Sequence, residues 1–208
     1  MQLHHLATDK DSIHLRLWND RGSVVDIWSG DGNTYLGVVT SYVDTDDDAS
    51  YDGYPNVTRL LKDTIDPATV KHVMAKWMAD IFPDSSILRD WSSGFDGIAF
   101  RSEYATHGSY TSIRLWAPAY QQSVSAHSLV SNIRSIDSML QLRQHFSRLY
   151  DSLKPGRYAA CRGYLGCFTK PAVELKEVKE TYEQHKTYIL NRLHDSSYYY
   201  PAGHTPTH

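Results

Sequence analysis

Gly94-Phe95-Asp96-Gly97 opens, and Trp116-Ala117-Pro118 closes, the stretch on which the fold turns. Between those ends, two β-rich runs flank Ala105-Thr106-His107-Gly108-Ser109, a short polar turn with a glycine available for positive φ. The pattern predicts a β-hairpin over Gly97 to Trp116 with a loop longer than two residues. Upstream, Ile13, Leu15 and Leu17 alternate with His14, Arg16 and Trp18, the signature of a half-buried strand. Asn19-Asp20-Arg21-Gly22 supplies a turn, and Val24 to Trp28 a second strand. Gly30-Asp31-Gly32-Asn33 then leads into a third, over Tyr35 to Val43. Strands joined by turns this short are antiparallel neighbours, so these three form a meander.

An acidic loop from Asp44 to Pro55 interrupts the strand pattern. Asp66 is placed to cap a helix that begins at Pro67, where the missing N–H costs nothing. Val70, Val73, Met74, Trp77, Met78 and Ile81 make its apolar stripe, and Pro83 ends it. Asp137 is the expected cap of a second helix carrying Leu140, Phe146, Leu149 and Leu153, which Lys154-Pro155-Gly156 stops. The pattern over Ser125 to Arg134 does not decide for or against a shorter helix, and Arg157 to Phe168 is glycine-spaced and β-compatible. A third helix is expected over Val173 to Leu193, with Val178, Tyr182, His185, Ile189 and Leu193 on one face. The fold expected is α+β, an antiparallel sheet built from the N-terminal meander and the later hairpin, with helices packed mainly on one face. Residues 1–153 read as an α+β core domain, 154–195 as a C-terminal extension whose helix packs on it, and 196–208 as a flexible tail.

The order Ile13-His14-Leu15-Arg16-Leu17, glycine-containing strands, a helix before Phe82-Pro83, then Phe95-Asp96-Gly97, Tyr110 and Trp116-Ala117-Pro118 also carries a resemblance. It resembles a scattered group of small uncharacterised bacterial α+β proteins with an Asp-Gly-started hairpin closed by Trp-x-Pro. The resemblance spans Ile13 to Leu153. It implies a fold and brings no activity, cofactor or site residue with it.

The chain has 208 residues, 41% hydrophobic and 22% charged, which is ordinary globular usage. A net charge of −3 provides no basic field for a phosphate backbone, so no nucleic-acid partner is expected. Met1 to Lys10 lacks a cationic start followed by an apolar core, and no run approaches the ~20 apolar residues that cross a bilayer. A cytoplasmic protein without a membrane partner is therefore expected, with Cys161 and Cys167 as free thiols.

Candidate chemistry is thin. Asp44, Asp46, Asp47, Asp48 and Asp52 have the oxygen ligands a hard cation takes, but the spacing fails. An EF-hand starting at Asp44 would put Ala49 at the glycine position and Pro55 at the glutamate position. Eleven histidines are dispersed. His4-His5 sits near the N-terminus, and His204 and His208 are separated by Thr205-Pro206-Thr207, which no stable helix would contain. Cys161-Arg162-Gly163 and Gly166-Cys167 offer thiols near glycine and arginine, without a selected histidine. Ser92-Ser93-Gly94 is not a nucleophile elbow, and Gly30-Asp31-Gly32 lacks the third glycine of a dinucleotide fingerprint. No metal, cofactor or catalytic set is expected.

Aromatic usage carries more information, with 15 tyrosines and 5 tryptophans. Tyr35, Tyr42, Tyr51 and Tyr54 flank the acidic loop, so carboxylates and interface-favoured aromatics share one neighbourhood. The expected binding residues are Asp46, Asp47, Asp48, Tyr51 and Tyr54, meeting a basic protein partner. The expected function is a non-enzymatic protein-interaction protein of the inhibitor or immunity type. The alternative is a small hydrolase or transferase that pairs Cys161 or Cys167 with a histidine.

Overall fold

Turn chemistry and alternation produce the first three strands in the computed structural model: β1 (Ile13–Asn19), β2 (Ser23–Ser29) and β3 (Leu36–Thr45). The structure describes residues 6, 11–19, 22–45, 58–80, 91, 99–117, 121–160, 167–170 and 178–194. After β3 come β4 (Thr58–Thr64), α1 (Pro67–Asp80), β5 (Ala99–Thr106) and β6 (Ser109–Trp116). The chain continues through α2 (Val124–Met139), α3 (Leu142–Ser152), β7 (Gly156–Ala159), β8 (Cys167–Lys170) and α4 (Val178–His194). All pairings are antiparallel, in one eight-stranded sheet of order β6-β5-β1-β2-β3-β7-β8 with β4 also on β3. The α+β reading of the sequence is thereby shown.

Long β3 organises the sheet. Asp44 pairs with Thr58 of β4 and with Ala159 of β7, so those two strands lie on opposite edges of β3. β7 therefore continues along the edge that β2 occupies further back. At that junction Gly22 takes φ +84°, and a Cβ there would meet the Tyr42 carbonyl at 2.7 Å and Phe146 Cε2 at 2.9 Å. Only glycine suits both the left-handed backbone and the space.

Helices gather on one face. Leu15, Leu17, Val25, Ile27 and Val39 pack there against Val70, Val73, Met74 and Trp77 of α1 and Leu129, Ile133 and Ile136 of α2. A second cluster joins Val43 to Phe146, Leu149 and Tyr150 of α3, to Tyr158 and Phe168 of the β7–β8 hairpin, and to Ile189 and Leu190 of α4. α1 starts as its sequence requires, with Asp66 Oδ2 accepting from the Thr69 N–H at 2.8 Å. Trp77 is fully buried, with its ring 6.0 Å from Phe100.

Several local expectations are corrected. Met78 is 49% exposed, because it lies at the margin of the stripe that Val70, Val73, Met74 and Trp77 centre. Ile81 and Pro83 lie outside the described residues. The hairpin turn is shorter than expected: Thr106 pairs with Ser109, leaving only His107 and Gly108 between the strands, and Gly108 is not left-handed. Their side chains take over part of the closure, with the Thr106 and Ser109 hydroxyl oxygens 2.7 Å apart. Asp137 is not a cap; it lies inside α2, whose N-cap is Ser123. α3 begins after Gln141, which adopts φ 52°, ψ 39° and breaks the two helices apart without glycine or proline. Of the stretch Arg157 to Phe168, Arg157 to Ala159 lie in β7 and Cys167 and Phe168 in β8, which pair antiparallel, and 161–166 lie outside the described residues.

The hairpin's far end is locked by its own motif. The Trp116 carbonyl accepts from the Trp91 indole at 2.9 Å and from the Gln121 amide at 3.2 Å, while Ala117 is held at φ 41°. Pro118 and Gly94 to Gly97 lie outside the described residues.

Candidate functional site

The sheet face opposite the helices is built by the same alternation that builds the core. With Leu15 and Leu17 turned to the helices, His14, Arg16 and Trp18 of β1 must project the other way. Register then decides their neighbours. Arg16 lies opposite Asp26 of β2 and Glu103 of β5, and Trp18 lies opposite Arg101. In β6, Ser112 and Arg114 stand opposite Glu103 and Arg101, and Tyr110 opposite Ala105. Residues from four strands thus form one charged and aromatic surface.

Glu103 is its centre and is 6% exposed. The Trp18 indole donates to Oε2 at 2.6 Å, the Tyr110 hydroxyl to Oε1 at 2.7 Å, and Arg101 Nη2 to Oε1 at 3.0 Å. Burial alone would raise its pKa, but the Tyr110 and Trp18 hydrogen bonds and the Arg101 and Arg16 charges outweigh that. They hold the carboxyl below its ordinary 4.5. Reciprocally, burial and the bond to Glu103 push the Tyr110 phenol up.

Beside it, Arg16, only 4% exposed, donates through Nε to Asp26 Oδ1 at 2.6 Å. His14 Nε2 lies 3.2 Å from the same oxygen, and its ring centroid is 6.1 Å from that of Trp28. Arg16 and Arg101 both lie over the Trp18 ring, at 5.9 and 5.5 Å from its centroid. β1 is therefore not half-buried in the simple sense. Both sides are sheltered, one by apolar packing and the other by paired charge.

The outer part of the surface is less well compensated. Arg101 and Arg114 face each other directly across β5 and β6 on the same side of the sheet. Like charges in that position repel. Arg101 leans to Glu103, whereas Arg114 is exposed and makes no ion pair among the described residues. Trp18 is partly exposed and Tyr110 is 37% exposed, so this pair of guanidinium groups is flanked by accessible rings.

A second polar cluster lies on the helix side. His145 Nδ1 is 2.7 Å from Asp63 Oδ2, which also accepts from Arg148 at 3.0 Å. Both His145 and Arg148 line a groove of about 710 Å³ with Thr64, Thr69, Gln141 and Arg143. Its charges are largely internal: Asp63 answers Arg148, and Asp66 caps α1.

The sequence-expected binding residues Asp46, Asp47, Asp48, Tyr51 and Tyr54 lie outside the described residues, as do Asp52, Cys161, Ser92 to Gly94, His4, His5, His204 and His208. Asp44 is described, and its Oδ1 accepts from the Thr58 hydroxyl at 2.7 Å. Tyr35 packs against the main core. Asp31, in the β2–β3 turn, accepts from Ser29, Asn33 and Thr34, and those bonds, the Thr34 and Asn33 backbone N–H groups foremost, draw its pKa well down; it forms an Asx turn. Among the described residues no three His, Cys, Asp or Glu side chains are placed to hold a metal ion. None of the described helices is long and apolar enough to cross a membrane.

The sequence offered one signal for the surface that the structure does build, namely the polar and aromatic half of the β1 alternation. Its partners lie far away in the chain, with 85 residues separating Trp18 from Glu103. No family model, curated protein or solved structure was found to match the chain.

Proposed function

We propose that this chain is a protein-interaction module whose open sheet face receives an acidic segment of a partner protein. The observation that carries this reading is the cross-strand pair Arg101 and Arg114 on an accessible surface. Two like charges in direct opposition weaken a sheet, and a carboxylate placed between them converts that repulsion into attraction. Trp18 and Tyr110 beside the pair supply the aromatic contact area that interfaces favour. Beneath them the Arg16–Asp26 pair and the Glu103 hub hold the two rings and the Arg101 guanidinium in place, so only Arg114 has to be ordered on binding.

Titration of the isotope-labelled protein with an oligoglutamate peptide tests this reading. The Trp18 indole N–H resonance should move, because it hydrogen-bonds the Glu103 hub beside the site. The movement should vanish in Arg101→Gln/Arg114→Gln and weaken as salt rises. An oligolysine peptide that binds instead, with loss of binding on changing Asp46, Asp47 and Asp48 to asparagine, would transfer the function to the acidic loop and a basic partner. Inorganic phosphate competing as strongly as the peptide would mark the site as one for phosphate groups rather than acidic protein.

A further inference from the structure

We infer that the groove between the starts of α1 and α3 binds a small organic phosphate monoester. At about 710 Å³ the groove has the volume of a small-molecule site. Arg143, His145 and Arg148 of α3 line it, and Ile65, Met139 and Leu190 add apolar surface. Its charges do not balance. Asp66 is spent on the cap of α1, accepting from both the N–H and the hydroxyl of Thr69 at 2.8 Å. Asp63 then has to answer both His145 and Arg148, while Arg143 meets, among the described residues, only the neutral Asn191 Oδ1 at 2.6 Å.

Nor does Asp63 satisfy its two partners at once. Its Oδ2 lies 2.7 Å from His145 Nδ1 and 3.0 Å from Arg148 Nη2, and those two nitrogens are themselves 2.6 Å apart. With a proton on Nδ1, two donors are in contact. Without it, Nδ1 and the ionised carboxylate are two acceptors in contact. A second anion in the groove resolves this conflict by drawing the Arg148 guanidinium, whose side chain is 56% exposed, away from the histidine. Gln141 provides no side-chain cap for α3, so N–H donors of its first turn are left for the same anion. Two guanidinium groups together with those donors match a phosphate, with its double charge and several acceptor oxygens, better than a carboxylate. The apolar surface of Ile65, Met139 and Leu190 is what favours an organic ester over the bare ion.

Isothermal titration calorimetry with phenyl phosphate tests the site. The full chain is used with Arg101→Gln and Arg114→Gln in place, so that the sheet face is silent and the outcome is independent of oligoglutamate binding. One saturable site is expected, about tenfold tighter for phenyl phosphate than for inorganic phosphate. Arg143→Gln and Arg148→Gln should each weaken it about tenfold, with unchanged circular dichroism because both side chains are exposed. Asp63→Asn should instead tighten binding, since it removes the carboxylate that competes for Arg148. In nitrogen-15 spectra the Gln144 backbone amide, in the first turn of α3, should move on titration. No saturable binding at millimolar phenyl phosphate would overturn the inference. So would benzoate or inorganic phosphate binding as tightly, affinity indifferent to both arginine variants (an adventitious ion only), or a folded Asp63→Asn protein that binds no better than its parent.

Discussion

Lys170 shows how a residue distant in sequence can cap the C-terminal end of a helix. Its Nζ donates to the carbonyls of Tyr150, Asp151 and Leu153 at 2.8, 2.8 and 2.5 Å, so its three protons answer the open end of α3. Burial lowers its pKa, with Asp151 pulling the other way, yet an ammonium at a helix C-terminus is well matched to the local dipole. Lys170→Met should cost on the order of 3 kcal/mol in urea unfolding, since it strands the buried Tyr150 and Leu153 carbonyls; a loss under about 0.5 kcal/mol would show that the cap is dispensable. Glu103 makes a second residue-scale prediction, one of pH. Its folded pKa is depressed, so the stability it contributes is present above the unfolded value and is lost as pH falls through the folded one. The thermal midpoint of the parent protein should therefore drop below pH 4.5. Glu103→Gln should be less stable at neutral pH and fall less steeply in acid, so that the two curves approach each other. Parallel curves would mean that Glu103 contributes no pH-linked stability.

Between residues and fold stand the elements, and here glycine and tryptophan set the tightest constraints. Gly22→Ala forces a Cβ into a left-handed backbone and against the Tyr42 carbonyl, so it should cost about 2 kcal/mol or more by denaturant unfolding. Trp77→Ala empties the centre of the helix-on-sheet contact and should cost about 3–5 kcal/mol. Both elements were legible in the sequence because their signals are local. Asp66 and Pro67 mark the start of α1, and short polar turns mark the meander. β4 was not legible, because Thr58-Arg59-Leu60-Leu61-Lys62-Asp63-Thr64 is an outer strand with Leu60 45% exposed and no clean apolar alternation. The break between α2 and α3 was also hidden. Leu129, Ile133, Ile136 and Leu140 keep helical spacing up to Gln141, and neither glycine nor proline marks the left-handed residue that parts the helices. The charged face was half legible: β1 announces it, but the pairing of β1 with β5 is what brings Arg16 to Glu103 and Trp18 to Arg101.

On the scale of the whole molecule, β3 is shared between two cores. Val39 belongs to the cluster under α1 and α2, and Val43 to the cluster formed with α3, α4 and the β7–β8 hairpin. The second cluster draws its members from both sides of Lys154-Pro155-Gly156, which reads in sequence as a stop and serves in the fold as the turn into β7. Phe168 shows the dependence best. Its ring lies 5.6 Å from Tyr150, 5.8 Å from Tyr158 and 6.3 Å from Phe146. A fragment ending at Leu153 would lose Tyr158, Phe168, Ile189 and Leu190 from that cluster, together with the Lys170 cap of α3. Each large apolar side chain left uncovered forfeits about 1.5–3 kcal/mol, and a domain's entire stability is only about 5–15 kcal/mol. The 1–153 fragment should therefore bind a hydrophobic dye and show no cooperative urea transition, whereas a chain ending at 195 should unfold in a single step. A cooperative 1–153 fragment would establish instead that the core under α1 and α2 suffices to hold β3, and that everything beyond Leu153 is an extension resting on a finished domain.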